Sequence, residues 1–172
     1  MKKILETERL ILREFEYRDT DFLHELFGDP EFFAFLAGKV KKTRDETEAM
    51  ITRMREGMYA AHGCGLWLIQ LKETGEPVGY CGYLIQEIGG EKLHEIAYGL
   101  HKDYRGQGYC VEAARGCKEW GVETLGLTRI VSIVHVDNHP SARVAERNEM
   151  TPGPERELWG LPVRIFEWTA DS

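Results

Sequence analysis

The sequence predicts one mixed α/β domain, a mostly antiparallel twisted sheet of about seven strands carrying about four helices. Three observations predict it. Between residues 66 and 101, short apolar runs alternate with period two and are separated by turn-forming residues. Stretches before and after them show helical spacing with start and stop signals. The 172 residues are 42 % apolar and 10 % aromatic, which suits a single core, residues 1–172 as one domain, and is short for two.

In chain order, Arg9–Phe15 reads as a first strand, with Leu10 and Leu12 on one face and Ile11 and Phe15 on the other. A short helix begins at Asp19 and carries Phe22, Leu23, Leu26 and Phe27 at helical spacing. Gly28-Asp29-Pro30 ends it. Thr43-Arg44-Asp45-Glu46 has capping-box form and opens a longer helix bearing Ala49, Met50, Met54, Met58 and Ala61, which Gly63 stops. Leu66–Leu71, Val78–Gln86 and Leu93–His101 then form a meander, joined by a turn at residues 72–76 and by Gly89-Gly90. Gly108–Leu125 is helical, with Cys110, Ala113, Ala114, Cys117, Trp120 and Gly121 facing inward. Arg129–Val136 alternates as a strand. Pro140 suits the first turn of a helix over Ser141–Arg147. Leu158–Trp159 and Val163–Thr169 are the last strands, joined by Gly160-Leu161-Pro162.

Composition narrows the function. Twenty-two Lys and Arg against 29 Asp and Glu give a net charge of −7. Nucleic-acid binding is dominated by phosphate neutralisation, so no DNA partner is expected, and a nucleic-acid-binding module built on the glycine turn and Lys39–Arg44 is the disfavoured alternative. The only basic run is Lys39, Lys41, Lys42 and Arg44, read as a solvated helix lead-in. Apolar runs such as Leu66-Trp67-Leu68-Ile69 are far shorter than the ~20 residues of a membrane span. Lys2 and Lys3 have no apolar stretch behind them, so no signal peptide is expected and the cytoplasm is the expected location. Cys64, Cys81, Cys110 and Cys117 show neither CxxC nor zinc spacing. They read as buried free thiols, and no metal site is expected.

The most informative stretch is Tyr98-Gly99-Leu100-His101-Lys102-Asp103-Tyr104-Arg105-Gly106-Gln107-Gly108-Tyr109-Cys110. A strand ends, a glycine-rich turn follows and a helix begins. Successive N–H groups there converge on one concavity, and the helix dipole adds partial positive charge. Gly106 and Gly108 let the backbone approach a phosphate, and Arg105 can add a charge-assisted bond. No Lys-Ser or Lys-Thr follows the glycines, so the turn is not a P-loop. Val111 stands where the dinucleotide fingerprint needs its third glycine. A turn without a ligand is the plainer reading of the string alone.

Arg105-Gly106-Gln107-Gly108-Tyr109-Cys110 resembles motif A of the GNAT superfamily of acetyl-CoA-dependent N-acetyltransferases, Gln/Arg-x-x-Gly-x-Gly/Ala, with Cys110 as a small departure at the last position. Four further pieces resemble its RimJ/RimL-type branch: Thr7-Glu8-Arg9-Leu10-Ile11-Leu12-Arg13, Glu95-Ile96-Ala97-Tyr98-Gly99-Leu100, Tyr109-Cys110-Val111-Glu112-Ala113 and Asn138-His139-Pro140-Ser141-Ala142-Arg143. The resemblance runs from Thr7 to Trp168.

It implies a fold whose central strands, here Leu93–His101 and Arg129–Val136, splay apart to admit the pantetheine arm of acetyl-CoA. Tyr98, Gly99 and Leu100 would bond that arm, and one of their N–H groups would polarise the thioester carbonyl. The amides of Gly106, Gln107, Gly108, Tyr109 and Cys110 would hold the pyrophosphate. The acetyl group would pass directly to an amine, with no covalent enzyme intermediate. Glu95 would deprotonate the amine, directly or through a water; a solvated strand carboxylate is the plainer reading. His94 points to the other face, and His101 and His135 are weaker candidates. Ser141 would stabilise the departing thiolate, because Ala145 stands where many relatives carry a tyrosine; the plainer reading makes Ser141 a helix-start residue satisfying backbone N–H groups. Asn138 would bond the cofactor or a water. In Asn148-Glu149-Met150 the glycine that relatives carry before the last apolar residue is missing, and Asn148 is expected to take the left-handed turn instead.

The acceptor is not legible. Glu87, Glu91 and Glu95 sit near the amine side, and the acidic balance favours a cationic partner. A ribosomal-protein-like N-terminal α-amine, a polyamine, an aminoglycoside-like drug and an amino acid stay open. So does a non-catalytic CoA sensor of the same fold. Phe27, Phe32, Phe33 and Phe35 read as core rather than as an acceptor pocket. Both monomer and homodimer are open, since Val163–Thr169 could pair between subunits.

Overall fold

The computed structural model describes residues 1–35 and 42–170, the side chain of Phe33 excepted. Its strands are β1 (Lys3–Glu6), β2 (Leu10–Glu14), β3 (Leu66–Leu71), β4 (Pro77–Ile88), β5 (Glu91–Leu100), β6 (Arg129–His135), β7 (Thr151–Leu158) and β8 (Leu161–Thr169). The helices are α1 (Thr20–Gly28), α2 (Pro30–Phe33), α3 (Arg44–Thr52), α4 (Tyr59–His62), α5 (Tyr109–Leu125) and α6 (His139–Arg147). A π-helical stretch, Arg53–Met58, joins α3 to α4, so these two make one continuous helix, which ends at Gly63 with φ 67°. The described helices therefore number five, against about four expected. Lys39 and Lys41 of the basic run lie outside the described residues.

All eight strands form one sheet in the order β1-β2-β3-β4-β5-β6-β8-β7. Every pairing is antiparallel except β5 with β6. The expected count of about seven is thus corrected to eight. The missed strand is β1, whose four residues carry only Ile4 and Leu5 as apolar signal. β7 begins seven residues earlier than expected, at Thr151. It holds Pro152, Gly153 and Pro154, residues that periodicity reads as loop. Both are edge strands, where proline, charge and exposure are tolerated because one ladder is absent. β8 has β6 on one side and β7 on the other, so the pairing of Val163–Thr169 across subunits left open above is not available to it.

Side-chain alternation splits the core in two. On one face Leu10, Leu12, Trp67, Cys81, Tyr83, Ile96 and Leu100 pack under Ala113, Ala114 and Cys117 of α5 and Ala145 of α6. On the other, Leu66, Leu68 and Tyr80 pack under Leu23, Leu26, Phe27, Met50, Ile51 and Met54 of the early helices. Phe27 and Phe32 belong to this second core, as expected. The capping box at Thr43 forms: its hydroxyl accepts the Glu46 N–H, and the Glu46 carboxylate accepts the Thr43 N–H at 2.7 Å. The predicted left-handed residue is displaced by one. Asn148 has φ −99°, and Glu149 takes φ 65°. The Asn148 side chain is occupied in tying α6 to α5, donating to the carbonyls of Val144 (2.9 Å) and Val111 (3.4 Å). Lys118 holds the next turn through the Asn148 carbonyl and the Glu149 carboxylate. Among the described residues no helix is long and apolar enough to cross a membrane.

Candidate active site

The one parallel junction is also the weakest. β5 and β6 are in register only at Glu95↔Val131. Towards its C-terminal end β5 keeps its ladder to β4, down to Leu100↔Gly79, but loses its ladder to β6. The Ser132 hydroxyl donates to the Ile96 carbonyl at 2.8 Å, and beyond that point the backbone edge of β5 faces a gap. Backbone groups in mid-sheet require partners. This edge, running through Tyr98, Gly99 and Leu100, offers them to a ligand.

Glu95 stands where the gap begins. It is only 8 % exposed, so the solvated-carboxylate reading of this residue does not hold. Burial pushes its carboxyl up to about 7, while hydrogen bonds from the Gln86 side chain and the Ile133 N–H pull the other way. The Gln86 Nε2 donates to Oε2 at 2.7 Å. Of the three glutamates expected near the amine side, only Glu95 is buried. Glu91 pairs with Arg129, and Glu87 is exposed and alternates to the other face.

Glu95 shares its face with Ala97 and Gly99, on the side of α1 to α4. A Cβ on Gly99 would lie 2.2 Å from the Phe32 ring, so only glycine lets that aromatic cover the strand here. Tyr98 faces the opposite side, with α5 and α6. Its hydroxyl donates to the Ser141 carbonyl at 2.8 Å, and the Ser141 hydroxyl donates to the Tyr98 oxygen at 3.3 Å. Burial holds the Tyr98 phenol protonated well above its ordinary range. Glu95 and Ser141 therefore lie on opposite faces of the sheet, with the gap between them. The capping role belongs to Asn138, whose Oδ1 accepts the Ser141 N–H at 3.3 Å. The Ser141 hydroxyl is left to face the phenol.

The glycine turn leads from β5 into α5. Gly106 and Gly108 have φ 77° and 82°, a region open to glycine and strained for other residues. A Cβ on Gly106 would meet nothing within 4 Å. The first bond of α5 runs from the Glu112 N–H to the Gly108 carbonyl, so the N–H groups of Gly108–Val111 emerge at the helix end. A 17-residue helix with these free donors and a glycine lip fits a phosphate. The Cys110 side chain packs against the core, and burial pushes its thiol well up. That accommodates the departure from Gly/Ala away from the turn's open side. The Arg105 guanidinium is engaged elsewhere: it donates to Asp29 (2.8 Å), Glu31 (2.9 Å) and the Leu100 carbonyl (3.2 Å). It fastens the turn to the α1–α2 corner.

Among the histidines, His94 packs edge-on to Tyr83 on the α5 side, and burial lowers its pKa. His101 sits 3.3 Å from Glu25 and stacks beside Phe22 and Tyr104. The His135 Nδ1 accepts the Asp137 N–H at 3.1 Å, and its ring lies 5.2 Å from that of Phe35. All four cysteines are free. Among the described residues no group of three His, Cys, Asp or Glu side chains is placed to hold a metal ion.

Two contributions escaped sequence reasoning. Gln86 gave no signal, being one polar residue in a strand. Arg9 and Glu112 both lie in segments quoted for their resemblance, yet nothing in the string shows that they meet. Arg9 donates from Nε to Glu112 (2.7 Å) and from Nη1 to the Gln107 carbonyl (3.0 Å), and its guanidinium lies 4.5 Å over the Tyr109 ring.

Comparison with known proteins agrees with this geometry. Residues 9–151 match the model of the acetyltransferase (GNAT) domain. YkkB of Bacillus subtilis (strain 168) is 32 % identical over 167 residues, 96 % of this chain and 95 % of that protein. The crystal structure of an acetyltransferase from Agrobacterium tumefaciens str. C58 superposes with a TM-score of 0.83 at 28 % identity, covering 99 % of this chain and 95 % of that one. RimL, the ribosomal L7/L12 α-N-protein acetyltransferase, in complex with coenzyme A, shares the fold with a TM-score of 0.80 at 21 % identity, covering 98 % of each chain. The family match, the opened β5–β6 junction and the glycine turn at α5 together make this chain a member of the GNAT acetyltransferase family, and an acyltransferase.

Proposed function

We propose that the protein transfers the acetyl group of acetyl-CoA to a primary amine by direct attack, and that the amine is the N-terminal α-amine of a protein. The observation that carries the reaction is the pair Glu95 and Ser141, set on opposite faces of the sheet with the gap between them. Likeness to RimL, which acts on a ribosomal protein's α-amine, supports the acceptor class.

Acetyl-CoA supplies an activated thioester. The N–H groups from Gly106 to Cys110 would hold its pyrophosphate, and the exposed edge of β5 at Tyr98, Gly99 and Leu100 would hold its pantetheine arm. One N–H of that edge would donate to the thioester carbonyl as charge develops on its oxygen. Asn138 keeps the turn before α6 in shape through its cap on Ser141. On the α1 to α4 side, Glu95 takes the proton that the acceptor's ammonium must lose before it can attack. A carboxyl near 7 suits that task, since at neutral pH a large share of it is ionised and it is still basic. On the other side, the Ser141 hydroxyl turns from Tyr98 to the departing sulfur and donates a hydrogen bond to it.

The test is thiol release from acetyl-CoA against a panel of N-terminal peptides and small amines, with Glu95→Gln and Ser141→Ala alongside. Peptide-dependent release that falls at least ~10-fold in either variant, ~1.4 kcal/mol in the barrier, supports the reading. Turnover confined to polyamines, aminoglycosides or amino acids would move the acceptor to that class. Calorimetric CoA binding with no turnover on any amine would make the protein a sensor.

A further inference from the structure

Glu95 is held from both sides of the gap. Gln86 on β4 is diagonal to it, since Leu84 pairs with Glu95 and Gln86 with Leu93, so both side chains rise from the same face. From there the Gln86 amide reaches Oε2 at 2.7 Å. From the other side the Ile133 N–H of β6 lies close enough to the same carboxylate to lower its pKa. Gln86 is half-buried, and a strand glutamine of this kind satisfies its amide equally well with solvent. Its contact with a buried carboxylate is a specific one.

We propose that Gln86 is a positioning residue for acetyl transfer: its side-chain amide fixes the Glu95 carboxylate at the mouth of the gap and stabilises its anion by a hydrogen bond. This rests on the reading in which Glu95 takes the acceptor's proton. An unsupported carboxylate in a desolvated site would favour the neutral acid, which cannot accept a proton. Gln86 supplies a donor without adding a charge. The titratable groups on the same face of the surrounding strands are Tyr80 on β4, Glu91 on β5, Arg129 and His135 on β6, and Glu167 on β8. Arg129 is paired with both Glu91 and Glu167, and the Tyr80 phenol is held protonated by burial. The hydrogen bond on the Glu95 carboxylate comes from Gln86, and the Ile133 N–H beside it acts in the same direction.

The experiment measures kcat/KM for thiol release across pH in Gln86→Met, which keeps the volume and removes the donor, and in Gln86→Glu, which keeps the shape and adds a second acid. In both, the acid limb moves to higher pH, by about one unit in the methionine variant and more in the glutamate variant. Rates recover at alkaline pH, and CoA affinity stays at the wild-type value. A loss that is uniform across pH, or a limb that stays put in both variants, overturns the proposal. Glu95→Gln separates the two failures. If it abolishes the limb while Gln86 variants leave it unmoved, only the role of Gln86 falls. If the limb survives in Glu95→Gln, the base assignment falls and this proposal with it.

Discussion

Arg9 and Glu112 stand 103 residues apart and form one clamp on the start of α5, in which the carboxylate of Glu112 accepts the Arg9 backbone N–H, the Arg9 Nε and the Thr7 hydroxyl, all within 2.7 Å. An acidic residue in the first turn suits the helix dipole but opposes a phosphate bound at the same end. Arg9 lies against it and also grips the Gln107 carbonyl inside the turn. The clamp keeps Glu112 ionised, its pKa lowered by these hydrogen bonds against the cost of burial.

Removing the clamp should therefore loosen the turn before it touches the chemistry. Arg9→Met is expected to weaken CoA binding about tenfold, or ~1.4 kcal/mol, as measured by calorimetry. At saturating CoA, kcat should stay within about twofold of wild type, since the turn contacts no reacting atom. An unchanged CoA affinity would show that the turn holds its shape alone.

The activity should depend on pH through Glu95. A base must be unprotonated, so kcat/KM is expected to rise with pH through about 7, where burial has placed this carboxyl, and to level off above it. A pH profile with an acid limb near 4.5, the ordinary value for a glutamate, would mean that Glu95 is solvated in the working enzyme.

Stability should carry the same signature with the opposite sense. The Glu95 pKa is raised in the folded chain, so between about 4.5 and about 7 the folded chain keeps a proton that the unfolded chain has lost. The folded state then binds more protons, and stability falls as pH rises through this window, at up to ~1.4 kcal/mol per pH unit for this one group. Glu95→Gln removes that loss. Denaturant melts at both ends of the window should show the variant gaining on wild type towards the alkaline end. A gain towards the acid end would contradict the buried carboxyl.

A separate ion pair supports the fold away from the gap. Arg13 and Asp19 are both buried and meet in a two-point contact, 2.7 Å at each nitrogen, and Asp19 also accepts the Glu16 N–H at 2.8 Å. Deleting one partner strands the other charge in the core. Asp19→Ala is expected to cost ~3–5 kcal/mol, read as a fall in the denaturation midpoint at constant slope. A change below ~1 kcal/mol would indicate that water reaches Arg13.

The amino-acid sequence determined the elements that bury a regular pattern. The meander β3–β5, the strand β6, the cap at Thr43 and the glycine turn at Gly106-Gln107-Gly108 are all local signals, set by alternation, side-chain capping and the conformational freedom of glycine. Glu95 and Ser141 were singled out by the family pieces, which say nothing of how the two lie relative to the sheet. The edge strands β1 and β7 were illegible because an edge tolerates the proline and charge that a central strand excludes. Only the tertiary structure placed Glu95 at the opening of the sheet, set Ser141 on the far side of it, drew Arg105 away to Asp29 and Glu31, and brought Gln86 and Arg9 to their partners. Each of these is a long-range contact. A residue type and its local spacing specify what a side chain can do, and the register between distant strands decides what it touches.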